Sequence, residues 1–71
     1  MENRNENLEV SRRIKARRVL KGYTQEEVAK MLGVSKTTYI SMENKPLELK
    51  FKKIKRLASV LGCKAEDFLF D

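Results

Sequence analysis

The spacing of apolar residues along the chain predicts a series of short α-helices. The stretch from Val10 to Lys21 contains neither Gly nor Pro and is rich in Arg, Lys, Ala and Leu, which favour helix. Gly22 follows, at the place where a left-handed residue ends a helix. Thr24 and Glu27 have the spacing of a capping box, so we expect a second helix to begin there and to run to Leu32.

The second half of the chain continues the helical pattern. Ser35 is a favourable N-cap, and we expect a short helix after it that reaches Met42 or Glu43. The sequence Asn44-Lys45-Pro46 then breaks the helix. A fourth helix that ends at Gly62 is predicted by apolar residues at helical spacing. These residues are Phe51, Ile54, Leu57, Ala58 and Leu61.

A last helical turn is predicted at residues 65–70, with Phe68 and Leu69 in the core. No segment shows the two-residue alternation of a β-strand. The predicted fold class is therefore all-α, a compact bundle of five helices. We expect a flexible N-terminal tail over residues 1–9 and one folded domain over residues 10–71.

The composition supports a single small domain. The chain has 71 residues, 41% of them hydrophobic and 37% charged, which suffices for one compact core but not for a barrel or a doubly wound sheet. No apolar run approaches the roughly 20 residues that span a bilayer. Residues 1–9 are rich in Asn and Glu, unlike a signal peptide. We therefore expect a cytoplasmic protein.

The chain has few residues that carry chemistry. It contains one cysteine, Cys63, and no histidine, which excludes an internal disulfide, a zinc site within one chain and a Cys–His nucleophile. It also lacks paired carboxylates in a plausible cleft and a phosphate-binding glycine loop, so we expect no enzyme, no cofactor, no metal and no small-molecule ligand. Cys63 is interpreted as a small buried apolar residue, with a redox sensor as the alternative.

The positive charge is concentrated in two stretches. The formal net charge is +6, which is typical of a nucleic-acid-binding domain. Residues 12–21 carry six basic residues and no acidic one, and residues 46–56 carry five basic residues against Glu48. One interpretation is that both are solvated helix faces. The other is that they contact phosphates on either side of a recognition element.

The segment from Gln25 to Glu43 has the features of a helix-turn-helix. Ala29 is small, as the crossing point of two helices requires, and Gly33 tolerates the left-handed conformation that the turn needs. Apolar residues for the inner face lie before, within and after the turn, at Val28, Leu32, Val34, Tyr39 and Met42. The outer face of the second helix carries Lys36, Thr37, Ile40 and Ser41.

These fragments in this order resemble the Cro/CI-type (XRE) helix-turn-helix family over roughly residues 12–69. The resemblance rests on Arg13-Ile14-Lys15, Thr24 to Ala29, Leu32-Gly33-Val34-Ser35, Glu43-Asn44, Leu57-Ala58, Leu61-Gly62 and Glu66 to Leu69. It implies a lambda-repressor-like bundle that binds double-stranded DNA as a two-fold homodimer, with the third helix in the major groove.

The resemblance also implies roles for individual side chains. Lys36, Thr37 and Ser41 would face base edges, and Ile40 would pack on a thymine methyl group. Phosphate contacts would come from Gln25, Ser35, Asn44 and Lys45. Arg18 would pair with Glu43, clamp the first helix to the third and face a phosphate.

Several positions depart from the family pattern, among them Cys63, which stands where the family prefers valine. Tyr39 stands where the family has an aliphatic residue, so either its ring fills the core while its hydroxyl reaches the surface, or the helix shifts. Pro46 comes early in the loop after Glu43-Asn44, and Leu49 takes the later position, which leaves the loop geometry open. Phe70 is expected to be surplus to the core and available to a second subunit.

The leading hypothesis is a sequence-specific DNA-binding transcriptional regulator, in its simplest form a repressor that acts as a homodimer on a palindromic operator. The alternative is a protein-interaction module or antitoxin that uses the same fold, with DNA binding secondary. The second basic stretch is interpreted as a largely solvated face, with one or two of its lysines reaching phosphate. These lysines are Lys50, Lys52, Lys53 and Lys55.

Overall fold

The computed structural model describes residues 6–70, which form five α-helices and one 3₁₀ turn. The all-α class and the number of helices predicted from the sequence are confirmed, and the described residues contain no strand. The elements in chain order are α1 Glu6–Lys21, α2 Gln25–Leu32, α3 Lys36–Asn44, the 3₁₀ turn Pro46–Glu48, α4 Phe51–Val60 and α5 Glu66–Leu69.

Helix α1 begins earlier than the sequence pattern indicated. It starts at Glu6, so residues 6–9, which were assigned to the tail, are helical. A tertiary contact holds this first turn, because the side-chain Oδ1 of Asn7 accepts a hydrogen bond from the Leu47 backbone N–H at 2.9 Å. Glu6 and Glu9 also lie where the helix dipole favours negative charge. Residues 1–5, the rest of the predicted tail, lie outside the described residues.

The predicted helix ends are confirmed where local chemistry determines them. The Thr24 hydroxyl accepts a hydrogen bond from the Glu27 N–H at 3.0 Å, and the Glu27 carboxylate accepts one from the Thr24 N–H at 2.8 Å. These two bonds are the predicted capping box. At the other end, Gly33 adopts a φ of 74°, a left-handed conformation that only glycine adopts without strain. Helix α3 extends one residue beyond the predicted range, to Asn44.

The core lies where the inner faces of the helices meet, with α2 packed on α3 and α4, and α1 packed on α3, the 3₁₀ turn and α5. Phe68 is buried as predicted, and Leu69 packs at its edge. The residues with no exposed side chain include Ile14, Val28, Tyr39, Leu57, Leu61 and Phe68.

One predicted core residue is exposed. Phe51 was assigned to the apolar face of α4, but it is 57% exposed. It is the first residue of the helix, so its side chain lies at the end of the apolar stripe that Ile54 and Leu57 continue into the core. Its ring is covered in part by Lys55, whose Nζ lies 5.8 Å from the ring centroid. Within residues 6–70, no helix has the length and apolar character needed to cross a bilayer.

Candidate nucleic-acid interface

The turn between α2 and α3 fixes the relative position of the two helices. The Gly33 and Val34 N–H groups donate to carbonyl groups in the last turn of α2, with the Val34 bond to Ala29 measuring 3.0 Å. Ser35 then starts α3, because its hydroxyl accepts the Thr38 N–H at 3.1 Å. The inner-face residues named from the sequence are buried here, apart from Val34, which is half-buried against the core.

The outer face of α3 is polar and open. At 3.6 residues per turn, the side chains of positions 36, 37, 40, 41 and 44 fall within an arc of about 140°. Lys36, Thr37, Ser41 and Asn44 are exposed, whereas Ile40 is half-buried. Within the described chain, the side chains of Lys36, Thr37 and Ser41 enter no hydrogen bond or ion pair. The structure therefore brings the proposed base-facing residues onto one surface.

An open groove joins the start of α3 to the end of α1. Its lining includes Arg18, Gln25 and Lys36, together with the α1–α2 turn at Gly22 to Thr24. Arg18 is partly buried, and its Nη1 donates to the Tyr23 carbonyl at 3.0 Å. The groove thus brings three of the predicted DNA contacts together, while Thr37, Ser41, Asn44 and Lys45 do not line it.

Behind the groove, the carboxylate of Glu43 is completely buried and receives hydrogen bonds from three helices. The expected pair with Arg18 is present, with Nε 2.7 Å from Oε2 and Nη2 3.5 Å from Oε1. Gln25 Nε2 donates to Oε1 at 2.9 Å. The Tyr39 hydroxyl donates to Oε2 at 2.8 Å. No buried side-chain polar atom in residues 6–70 lacks a partner.

These contacts set the protonation of the network. Burial raises the pKa of the Glu43 carboxyl, but the hydrogen bonds from Arg18, Gln25 and Tyr39 outweigh it and hold that pKa below its ordinary value of 4.5. Burial, followed by the hydrogen bond to Glu43, raises the pKa of the Tyr39 phenol. Glu43 is therefore a carboxylate and Tyr39 a neutral donor at neutral pH.

Of the two alternatives left open for Tyr39, the first is correct for the ring, which fills the core, but wrong for the hydroxyl, which does not reach the surface. Tyr39 has no exposed surface, and its hydroxyl points to Glu43 because a buried phenol needs a hydrogen-bond partner. Sequence reasoning also missed the bond from Gln25 to Glu43. The i,i+4 spacing of Tyr39 and Glu43 on one helix was a signal for the hydrogen bond between these two side chains. No local signal existed for the bond between Gln25 and Glu43, since its partners are 18 residues apart in the sequence.

The two basic stretches differ in how much of their charge is free. In α1, Arg18 is paired with Glu43, Arg17 lies 3.9 Å from Asp67, and Arg13 donates to the Phe68 carbonyl at 2.8 Å. Only part of the α1 charge is therefore available to phosphates. On α4 and just before it, Lys50, Lys52, Lys53, Lys55 and Arg56 are all exposed.

Two more residues of the predicted site lie at the ends of α3, whereas Cys63 lies apart from it, between α4 and α5. Ser35 and Lys45 are exposed at the two ends of α3, and the Ser35 hydroxyl is occupied by its contacts with Thr38. Pro46 is buried and begins the 3₁₀ turn, which resolves the loop geometry that the sequence left open. Cys63 is half-buried rather than fully buried, and burial raises the pKa of its thiol. A raised pKa disfavours the reactive thiolate form.

A helix-turn-helix whose second helix presents an open polar face defines a DNA-binding domain. Comparison with known proteins agrees, because the helix-turn-helix family matches residues 14–68. The chain belongs to the Cro/CI-type (XRE) helix-turn-helix family. It is 37% identical over 60 residues to an uncharacterized HTH-type transcriptional regulator of Methanocaldococcus jannaschii, covering 83% of this chain and 91% of the relative. No solved structure matches it significantly.

Proposed function

We propose that this DNA-binding regulator is sequence-specific and reads double-stranded DNA by placing α3 in the major groove. The observation that carries the proposal is the exposed face of α3, whose polar side chains are free while the buried Glu43 beside it joins the helix to α1 and α2. In this arrangement Lys36 donates to guanine, and Thr37 and Ser41 contact base edges. Ile40, half-buried, offers methyl groups to a thymine.

Phosphate contacts on both sides of α3 position the protein on the duplex. Gln25 is the first residue of α2 and Ser35 the N-cap of α3, where backbone N–H groups favour an anion. Asn44 and Lys45 are exposed at the end of α3, and Arg18 lines the groove beside Gln25. The exposed lysines before and along α4 add sequence-independent attraction.

We further propose that the protein acts in the cytoplasm as a homodimer on a palindromic operator and represses by occupying it. Support for the dimer comes from large apolar side chains that the core leaves exposed, among them Phe70 at 66% and Phe51 at 57%. Two-fold symmetry would place half-sites about one helical turn apart. Occupancy is the simplest mechanism of regulation, and nothing in the described site points to catalysis.

The test of sequence specificity is selection of bound duplexes from a random DNA pool, followed by titration of the selected duplex at several salt concentrations. We expect a symmetric site bound at least about 1,000-fold more tightly than random duplex. Weak binding without a preferred sequence and with steep salt dependence would contradict the proposal. Capture of a protein partner would then test the alternative of an interaction module.

The test of the dimer is analytical ultracentrifugation with full-site and half-site duplexes. We expect two chains on the full site and one on the half-site. Phe70→Ser should weaken full-site binding and leave half-site binding unchanged if this residue contributes to the dimer contact. A single chain on the full site would contradict the homodimer.

A further inference from the structure

The hydrogen bonds of Glu43 connect the surfaces proposed to meet phosphate and bases. Its Oε2 accepts from Arg18 on α1 and Tyr39 on α3, and its Oε1 accepts from Gln25 on α2 and again from Arg18. Tyr39 and Glu43 are both buried on the inner side of α3, next to the exposed arc. The orientation of α3 is therefore set through the buried Glu43 carboxylate, which joins it to Arg18 and Gln25 at the edge of the groove.

We propose that Tyr39 is a positioning residue for DNA recognition, whose hydroxyl holds the Glu43 carboxylate in the orientation that joins α3 to Arg18 of α1 and to Gln25 at the phosphate-facing start of α2. The inference rests on the proposed function, since it concerns how the same interface is held before DNA arrives. It assigns two tasks to one side chain. The ring fills the core, and the hydroxyl orients the Glu43 carboxylate through which α3 is joined to α1 and α2.

The chemistry separates these two tasks. Tyr39→Phe keeps the buried ring and removes one of the two hydrogen bonds of Glu43 Oε2, leaving the bond from Arg18 Nε. Because Tyr39 and Glu43 lie on the same nine-residue helix, the lost bond does not itself join α3 to another element. Without it the Glu43 carboxylate is held less firmly in place for Arg18 and Gln25, whose hydrogen bonds join α3 to α1 and α2, and α3 can then change its orientation. When only a fraction of the molecules holds the binding-competent arrangement, the apparent affinity for DNA falls by that fraction.

Gln25 provides an independent connection to the same carboxylate. One hydrogen of its Nε2 is donated to Glu43, which leaves the other N–H and the amide oxygen for contacts outside the protein. A phosphate bound by Gln25 is thereby linked through one carboxylate to the Tyr39 hydroxyl. We expect the two side chains to be coupled, so that Gln25→Ala costs less affinity in the Tyr39→Phe background than in the wild type.

The experiment measures Tyr39→Phe on the selected duplex and on random duplex, at a temperature where the variant is fully folded. We expect about a five- to tenfold loss of affinity for the selected duplex and less than about a twofold loss for random duplex. Hydrogen exchange provides the second measurement. The α3 amides should exchange faster in the free variant than in the free wild type, and at equal rates in the two DNA complexes.

The matched control is Phe68→Leu, which reduces a buried side chain on α5 without altering the Glu43 hydrogen bonds. At a comparable loss of stability, this variant should bind the selected and the random duplex with wild-type affinity. Its α3 amides should exchange no faster, relative to the rest of the protein, than those of the wild type. An equal affinity loss in Phe68→Leu, or wild-type affinity in Tyr39→Phe, overturns the inference. If the α3 amides of the free Tyr39→Phe variant exchange at the wild-type rate, the inference about Tyr39 is overturned without any DNA measurement. If the wild type selects no preferred duplex, the proposed function is overturned instead.

Discussion

At the scale of the residue, the surface of α3 divides into side chains proposed to specify and side chains proposed to position. Lys36 is exposed at the start of the helix and lines the groove with Gln25. Asn44 is exposed at its other end. Base contacts carry sequence information and phosphate contacts do not, so substitutions at the two ends should have different signatures.

Lys36→Ala is expected to cost about 1–3 kcal/mol of binding free energy and to relax the preference at one base pair in each half-site. Asn44→Ala is the matched control, since it should weaken binding to all duplexes by a similar factor. The measurement is affinity for a panel of single-base variants of the selected duplex. An unchanged preference profile for Lys36→Ala would remove this residue from the base-reading set.

Glu43 makes stability depend on pH in a defined direction. Its pKa in the folded protein lies below the ordinary 4.5, so in acid the unfolded chain takes up a proton more readily than the folded one. The stabilisation is therefore fully present above pH 4.5 and is lost as the pH falls through the lowered pKa. Urea unfolding between pH 6 and pH 3 should show this decline.

NMR titration of the Glu43 carboxyl carbon tests whether the loss of stability in acid comes from protonation of Glu43. We expect a midpoint below 4.5 in the wild type and in the control Glu26→Gln, which changes an exposed carboxylate on α2. A Glu43 midpoint above 4.5 would show that burial outweighs its hydrogen bonds.

The residue scale also shows where sequence reasoning reached its limit. The caps at Thr24 and Gly33 were predictable because their chemistry is local. The pair of Arg18 and Glu43 was expected only through resemblance to a family. The bond from Gln25 to Glu43 depends on how α2 packs against α3, which no pattern along the chain encodes.

At the scale of the element, α1 shows how a tertiary contact extends a helix. Residues 6–9 are Asn- and Glu-rich and gave no periodicity, yet they are helical. The hydrogen bond from the Leu47 N–H to Asn7 joins this first turn to the 3₁₀ turn that follows α3. The start of α1 was therefore unpredictable from local sequence, whereas its end at Gly22 was predictable.

Asn7→Ala should destabilise the protein by about 0.5–1.5 kcal/mol, the usual net contribution of one hydrogen bond. The measurement is urea unfolding followed by circular dichroism. The control is Lys15→Ala, an exposed position on the same helix, which should change stability by less than about 0.5 kcal/mol. Equal stabilities of Asn7→Ala and the wild type would show that the contact does not hold the first turn.

At the scale of the whole molecule, the first and last helices close the core together. Arg13 of α1 donates to the Phe68 carbonyl on α5, across 55 positions of sequence. Phe68 is fully buried, and Ala65 is 4% exposed. The helix-turn-helix itself lies between these elements, so its stability depends on residues that follow it by more than twenty positions.

A chain shortened after Gly62 should therefore lose cooperative folding although it retains the entire helix-turn-helix. Loss of a buried Phe alone costs about 3–5 kcal/mol, which is a large fraction of the stability of a small domain. A chain shortened after Leu69 is the control and should unfold at nearly the wild-type urea concentration. A native-like urea transition in the chain that ends at Gly62 would contradict this dependence.

The open side of α3 has a consequence for how such proteins diversify. Within residues 6–70, the side chains of Lys36, Thr37 and Ser41 take part in no internal hydrogen bond or ion pair, whereas those of Tyr39 and Glu43 hold the helix in place. If these three residues read bases as proposed, mutations there would change which DNA sequence is preferred while the contacts that hold the fold stay intact. After a gene duplication, a copy of this chain would then acquire a new DNA target by point substitutions on one side of a single helix.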